Sequence, residues 1–574
     1  MTSSWDGITL PIAGGVSIAF GSQAFNPNPT WNSQLPGVQS FTIDRGRSYE
    51  LSRTQTGTAT VNFYDVNGTY DATNPNGPYY LEIGPMRLVN IQLQNPTNRE
   101  FYSLFTGFTE SWNYSYPATP SNVLANVAVD CVDGFDALSR AELPVDNTGY
   151  AKIPAFGSGM GAQAAAAVAS RIAYILGFFS AAPYSGNGYP TNINALFSGN
   201  VIILEAAYNP QTALLTAIQD TADAEFPNVS NVFMDKWGNV AFRGRGARFT
   251  PAQYSRTDGG PADIGLPPTV EQPIQFWNVG DYNATETFTA GNMVPFTDYQ
   301  WNLDQTNLVN ACQCYPGGLD TETGKINAQL VTNGISIEKY GPRVLQIPNL
   351  YTGGSPSTTG NPFLNPPGLT GLQETLLFGQ SMVDNFNVPQ PRVSSLTFVT
   401  QLDGTIPGNA WWHFVTGVEI GDVITLYTST PGGGGFSNEA LGFQTNQFFV
   451  EGLHYSVTPG NLYPQVSLSV DVSPRAWSMF FNGYQWFPGP IPPGVSAVPY
   501  ALYGMDGSVT NGMNTFAAPS GLFYSALVGA SITITLGADT QTFTIGTVTP
   551  ATNLTLSGNW TGTTSTAATW SIAV

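Results

Sequence analysis

The chain reads as a mainly β, multidomain protein with small α+β insertions, and three observations carry that reading. Period-2 alternation runs from Phe41 to Phe108. Ala59, Val61 and Phe63 point one way, Thr58, Thr60 and Asn62 the other, and Val89, Ile91 and Leu93 repeat the pattern. Between the runs lie Asp65-Val66-Asn67-Gly68 and Asn74-Pro75-Asn76-Gly77-Pro78, both turn sequences. Composition agrees. Charged residues make only 10% of the chain, against about 25% in ordinary soluble domains. The 62 glycines and 43 prolines stay below the roughly 25–30% that suggests disorder.

At 574 residues the chain exceeds one core, so about three to five domains are expected. A surface poor in Lys and Glu is expected to be covered largely by other subunits. The net charge is −20, spread along the chain. Lys and Arg are what displace counterions from phosphate, so the charge argues against nonspecific DNA binding. A conduit that must let DNA pass without sticking favours a negative wall. Cys131, Cys312 and Cys314 are an odd number and read as reduced thiols made in a cytosol. No basic region followed by an apolar run opens the chain, so no secretory signal is expected.

In chain order, 1–40 reads as an irregular arm and 41–145 as the first β domain, its meander continuing through Trp112–Tyr116 to Val123–Val132. Asp130, Asp133 and Asp136 have a calcium-like spacing, but the alternate oxygens and distant Glu of an EF-type loop are missing. Asp133 is read instead as the cap of a short helix carrying Phe135 and Leu138. Residues 150–250 read as an α+β domain. In its Gln163–Ala182 stretch, Arg171 would cost about 2.5–3.5 kcal/mol inside a bilayer, so Ile172, Ile175 and Leu176 mark a buried helix. Asn209-Pro210 is expected to open a second helix, with Leu214, Leu215, Ile218 and Ala222 on its apolar face and Phe226-Pro227 ending it. Val232–Arg245 then reads as a hairpin.

Residues 251–387 are the least regular, an α+β stretch with strand-like pieces at Thr285–Thr289, Tyr299–Leu303 and Ile335–Lys339. It closes on a helix over Thr370–Phe386, with Leu372, Leu376, Val383 and Phe386 on one face. Strands return in 388–478. A Pro/Gly linker follows at 479–499, then a small Thr-rich β module at 500–574.

Several phrases occur in a family's order: Arg45-Gly46-Arg47, Gly57-Thr58-Ala59-Thr60-Val61, Asn67-Gly68, Asn74-Pro75 with Pro78-Tyr79-Tyr80, Pro85-Met86-Arg87 and Leu104-Phe105-Thr106-Gly107-Phe108. They resemble the N-terminal module of minor tail proteins of long-tailed bacteriophages, the siphophage baseplate or tail-tip hub family. The hairpin Phe233…Asp235…Gly238-Asn239-Val240…Phe242-Arg243 is similar to the middle of such hubs. Glu419-Ile420-Gly421-Asp422, Phe449–Gly460 and Ser473-Pro474-Arg475-Ala476-Trp477 are similar to their last tube-associated domain. The resemblance covers about 40–145, 165–250 and 370–478, and implies two β-barrel-like tube domains, 41–145 and 388–478. It implies a structural hub that closes the distal end of the tail tube, forms part of the DNA conduit and is a platform for other tip proteins. A distal-tail ring protein and a host-surface carbohydrate-binding adhesion protein remain as alternatives.

The expected place is the distal end of the tail in the virion, after synthesis in the host bacterial cytoplasm. Expected partners are further copies of the chain as a homotrimer, the distal tail ring, the tape measure and tip or fibre proteins. DNA would pass without specific binding, and the C-terminal module could contact the host surface. Asp65, Asp71, Glu82, Glu419, Asp422 and Glu451 are candidate lumen acids, with capping of turns at the rim as the plainer alternative. Arg45, Arg47, Arg87, Arg243 and Arg245 are candidate subunit-contact cations. Local ion pairs are the alternative for Arg243 and Arg245.

No enzyme, metal or cofactor is expected. His413 and His454 sit in apolar stretches read as strands holding packed imidazoles. HExxH is absent, no Gly-x-Ser-x-Gly elbow has partners, and Cys312-Gln313-Cys314 lacks zinc-knuckle spacing. Gly432–Gly435 has no Lys-Ser/Thr after it, so it reads as a hairpin tip. Acids far apart in sequence leave a glycoside-cleaving carboxylate pair open. Trp411, Trp412, Tyr455 and Trp477 would be the sugar platform of the adhesion alternative.

Overall fold

A computed structural model describes 3–116, 125–156, 167–180, 193–196, 201–244, 275–280, 293–316, 328–355, 369–400, 409–427, 447–458, 464–474, 479–486, 502–517 and 529–573, apart from one to three positions within some of these. The fold is mainly β and multidomain. Its centre is a 13-stranded sheet, within which hydrogen bonds can be followed around two closed rings.

The first ring begins with the Val38–Gly46 strand and proceeds through Gln55–Asp65, Ala125–Val132, Phe101–Ser115, Leu88–Gln94 and Gly14–Ile18, each antiparallel to the next. Asn32 exchanges backbone bonds with Ile18, and the Leu35 N–H donates to Val16 O at 2.8 Å. The chain entering Val38 therefore returns to the last strand and closes the ring. Val16, Ile18 and Phe20 are fully buried, which corrects the reading of 1–40 as an arm. Five alternating residues were too short a run to stand out before the longer meander.

The second ring starts at Gln447–Thr458 and passes to Val423–Tyr427, Phe276–Gly280 and Met293–Pro295. Phe296 and Thr297 carry the chain across into Asp298–Asn302, which pairs with Arg392–Val399, then Gln465–Pro474, then Gln447–Thr458 again. So 276–302, expected in the irregular middle, supplies strands to the second barrel. Phe276–Gly280 pairs in parallel with both Met293–Pro295 and the distant Val423–Tyr427, and Asp298–Asn302 pairs antiparallel with the distant Arg392–Val399, pairings that local patterning does not reveal. Trp411-Trp412-His413-Phe414 is not a strand but part of the Asn409–Gly417 helix. The 3–4 spacing of Trp411, Phe414 and Val415 buries one helical face.

The rings are fused. Gly452–Val457 pair antiparallel with Phe41–Gly46, so one ladder is the seam between barrels. Alternate residues of both barrels face one contiguous apolar cluster, including Phe41, Val61, Ile91, Trp411, Leu453 and Leu468. At the seam the register shifts between Val450 and Gly452, leaving Glu451 as a bulge. Gly46 opposite has φ +97°, and a Cβ there would lie 2.2 Å from Glu451 O. Only glycine fits this crossing.

Around the barrels lie smaller units. Helices Gly134–Arg140, Ala167–Ser180 and Leu214–Glu225 share a core with the Asn231–Met234/Val240–Arg243 hairpin. Asp133 caps the first helix by accepting the Phe135 N–H. In the second, Arg171, Ile172, Ile175 and Leu176 are buried. The third begins at Leu214 with Ala213 at its cap and no side-chain cap bond. Asn209 instead makes a turn through its carbonyl to Thr212. Gly334–Tyr340 is a helix capped by Asn333, not the expected strand. Helix Gly371–Phe386 buries Phe378, Met382, Val383 and Phe386, while Leu372 and Leu376 stay exposed. Thr285–Thr289 and the Gly432–Gly435 tip fall outside the described residues, as does most of 479–499. The C-terminal strands close a separate six-stranded barrel around Phe516, Ile532, Ile534, Trp560 and Trp570.

Candidate functional site

The chemistry-bearing residues gather at the seam. Arg45, on Val38–Gly46, points into the protein and is almost wholly buried. Its Nη2 donates to Glu419 Oε1 at 2.8 Å and to Met234 O at 2.7 Å, and its Nη1 to Leu104 O at 3.3 Å. One guanidinium thus holds both barrels and the central hairpin. Glu419 also accepts the backbone N–H groups of Lys236 and Ile420. Burial alone would raise its pKa. Arg45, Lys236 and those two N–H groups outweigh that and hold the carboxyl below its ordinary value. Lys236 Nζ donates to the carbonyls of Thr416 and Gly417, each at 3.0 Å, at the C-terminus of helix Asn409–Gly417, where the helix dipole favours a cation.

Arg47, two residues on, donates from Nε to Glu451 Oε2 at 2.7 Å, and Ser473 Oγ donates to the other carboxylate oxygen. Both partners are buried. Asp422 accepts the Trp277 indole N–H at 3.0 Å and the N–H groups of Gln275 and Glu419. Burial pushes its carboxyl up to about 6 against those bonds.

These placements correct most of the expected site. Glu419, Asp422, Glu451 and Asp65 are buried within one chain, so they cannot line a channel. Glu419 and Glu451 are counterions of Arg45 and Arg47, and Asp422 and Asp65 hold turns. Asp65 accepts the N–H groups of Thr69 and Tyr70. Asp71 is half-buried, and its hydrogen bonds to the Thr73 hydroxyl and N–H hold its carboxyl below the usual value. Only Glu82 of the six is exposed. Arg45 and Arg47 are internal, not subunit contacts. Arg87 is tied to the carbonyls of Glu82 and Ser22. Arg243 is buried, its guanidinium 5.4 Å from the Phe233 ring centre, and Arg245 lies outside the described residues.

What sequence reasoning missed is the other face of the same sheet. Thr42 and Asp44, Thr58 and Thr60, Asp130, Ser111 and Asn113, His454 and Ser456, and Ser469 and Asp471 all lie opposite the core and reach the surface at least in part. Asp130 accepts the Thr60 and Ser111 hydroxyls and the Asn113 amide at 2.7–3.0 Å. His454 lies between two carboxylates, Nδ1 to Asp44 Oδ1 and Nε2 to Asp471 Oδ2, each 2.8 Å. The hydrogen bonds that Asp44 and then Asp471 accept from the ring push the imidazole up to about 9 against partial desolvation. The signal was present as the alternate positions of strands already recognised, since each acid here is two residues from its neighbours on the face. His454 lies on a strand as read, but it is not the packed imidazole of an apolar stretch: it is partly exposed and held between two acids. His413 is exposed on its helix.

Trp411, Trp412 and Tyr455 are buried, which removes them from a sugar platform, and Trp477 lies outside the described residues. The three cysteines are free thiols and buried. Among the described residues no cluster of three or more His, Cys, Asp or Glu is placed to hold a metal ion, and no helix is long and apolar enough to cross a membrane.

No protein-family model and no curated protein sequence matches the chain. Among solved structures the chain is similar to the tail protein from Neisseria meningitidis MC58, at 9% identity and a TM-score of 0.41, over 80% of this chain and 97% of that one. It is also similar to the prophage MuSo2 43 kDa tail protein from Shewanella oneidensis, at 10% identity and a TM-score of 0.39, over 79% and 98%. A third is the prophage tail protein gp18 from Listeria monocytogenes EGD-e, at 10% and 0.33, over 80% and 94%.

Two outcomes follow from this geometry. Arg45→Met leaves Glu419 buried without its guanidinium, and by chemical denaturation should cost about 3–5 kcal/mol. The double variant Arg45→Met with Glu419→Gln should recover part of that loss; simple additivity would show the pair uncoupled. For His454, the folded pKa of about 9 exceeds the unfolded value, so the clamp's stabilisation is complete below about pH 6.5 and lost as pH rises towards 9. The melting-temperature gap between the parent and His454→Gln should shrink across that window, and a gap constant from pH 6.5 to 9.5 would refute the ionic clamp.

Proposed function

We propose that this chain is a structural component of a phage tail tip, the hub that closes the distal end of the tail tube. The observation that carries the reading is the seam. One ladder holds two closed barrels side by side, with a shared core on one face and a continuous polar face on the other. A chain that supplies two tube-like units in fixed relation can match a sixfold tube as a homotrimer. Several of the sequence phrases resembling tail hubs fall on these barrels, with Arg45-Gly46 and 452–457 on the seam itself.

In this reading the polar face is the wall of the DNA conduit, and its acids are Asp44, Asp130 and Asp471. They replace the buried acids expected from sequence. The one cation among them, His454, is already paired with two carboxylates and so offers little to a phosphate. The role needs no catalysis or cofactor. The distal tail ring, the tape measure and tip or fibre proteins are the partners, in a virion assembled in the host cytoplasm, and the C-terminal barrel is the element free to meet the host surface.

The wall can be tested without breaking the clamp. Thr42, Thr58 and Ser456 are exposed on it, and all three changed to Lys should leave tail assembly intact. DNA delivery should fall, more at low ionic strength, because each Lys adds a phosphate contact. Delivery equal to the parent's at every salt concentration would remove this face from the conduit.

A further inference from the structure

We propose that the outer face of the C-terminal barrel binds a neutral glycan; the inference rests on reading that barrel as an attachment module. From residue 501 onward the chain contains Asp506 and Asp539 as its only charged side chains, with no Lys, Arg, His or Glu. Recognition of phosphate, sulfate or carboxylate groups draws on guanidinium and ammonium donors, and this module has none. Two acids likewise make a poor match for a cationic partner. Met513 is the one large hydrophobic side chain substantially exposed among its described residues, so these residues present no apolar docking face.

What the face does present is an ordered array of hydroxyls. Ser531–Leu536 and Asp539–Thr549 pair so that Thr533 stands opposite Thr542 and Thr535 opposite Thr540. Their hydroxyl oxygens are 3.0 and 3.1 Å apart. Thr569, on the adjoining Ser565–Ala573 strand, donates to Thr535 O at 3.0 Å. On the other side Thr547 and Thr555 bond each other. The array spans four adjacent strands, with neighbours about 4.8 Å apart across strands and about 6.8 Å along them.

Each hydroxyl has one donor and two acceptor positions. A bonded pair such as Thr533–Thr542 or Thr535–Thr540 uses one donor and one lone pair, leaving one O–H and three lone pairs for a ligand. Sugar hydroxyls carry the same mixed capacity, so a neutral polyhydroxyl chain can both donate to and accept from the face. The β-branched side chains are stiff at χ1, and their mutual bonds hold them further, so little ordering entropy is lost on binding. The barrel core behind them, including Ile532, Ile534, Trp560 and Trp570, is closed, and the tryptophans face inward. Recognition would therefore run through hydroxyls and methyls.

The test uses the full chain on an array of neutral hexose and N-acetylhexosamine oligosaccharides, printed beside their sialylated, uronate and phosphorylated counterparts. Neutral glycans should be retained equally in low and high salt, with the acidic counterparts not preferred. Thr533→Val with Thr542→Val keeps shape and branching but removes two hydroxyls, and should weaken binding by about tenfold or more with the melting temperature unchanged. Retention of no neutral glycan, preference for the acidic set, or parent-like binding by the double variant would each overturn the proposal and leave the threonines as ordinary strand formers. Incorporation of the same chains into tails is scored separately, so a failed glycan site is distinguishable from a failed tail assignment.

Discussion

The fold depends most on the buried guanidinium of Arg45. Removing a cation from water is expensive unless a counterion and further acceptors are in place. Here they come from Glu419, Leu104 and Met234, contributed by the second barrel, the first barrel and the central hairpin. None of these segments alone can satisfy the group, so their assembly is mutually conditional. Glu419 adds Lys236 to the same arrangement, and Lys236 in turn closes the end of the helix that fills the second barrel. A displaced hairpin would leave two cations and a carboxylate short of partners. The cost of such orphans is what makes the relative placement of the barrels specific.

A second constraint is steric. Gly46 must pass Glu451 at a distance that excludes any side chain, and the bulge at Glu451 lets one strand serve two neighbours. Residues 447–449 pair with Val423–Tyr427, whereas 452–457 pair with Val38–Gly46. The seam therefore forms where Arg-Gly-Arg meets Glu-Gly, two short phrases over four hundred residues apart. The Arg47–Glu451 pair fastens that crossing.

How far this was legible in sequence depends on how local each cause is. The meander strands were, because alternation such as Ala59, Val61 and Phe63 records burial directly. The Asp133 cap and the hairpin around Gly238 were as well, since their partners lie within a few residues. The closing strands Gly14–Ile18 and Phe276–Gly280 were not, being short and paired across long separations. The acids were misplaced for a related reason. Net negative charge suggests where a chain repels DNA, but whether Glu419 or Glu451 is a wall residue or a counterion is decided by arginines hundreds of residues away. Asp44, Asp130 and Asp471 could have been found by asking which acids occupy the outward alternate positions of recognised strands.

These constraints converge on the functional reading. In the proposed hub role, the seam would give one chain two barrel positions with a polar face common to both, as a threefold part meeting a sixfold tube needs. Image reconstruction of the tail end of the assembled particle tests this most directly. The account predicts three copies of this chain around the axis, their six barrels forming one ring with Asp44, Asp130 and Asp471 lining the lumen. A ring of six or twelve copies, or three copies whose lumen is formed by other surfaces, would contradict it.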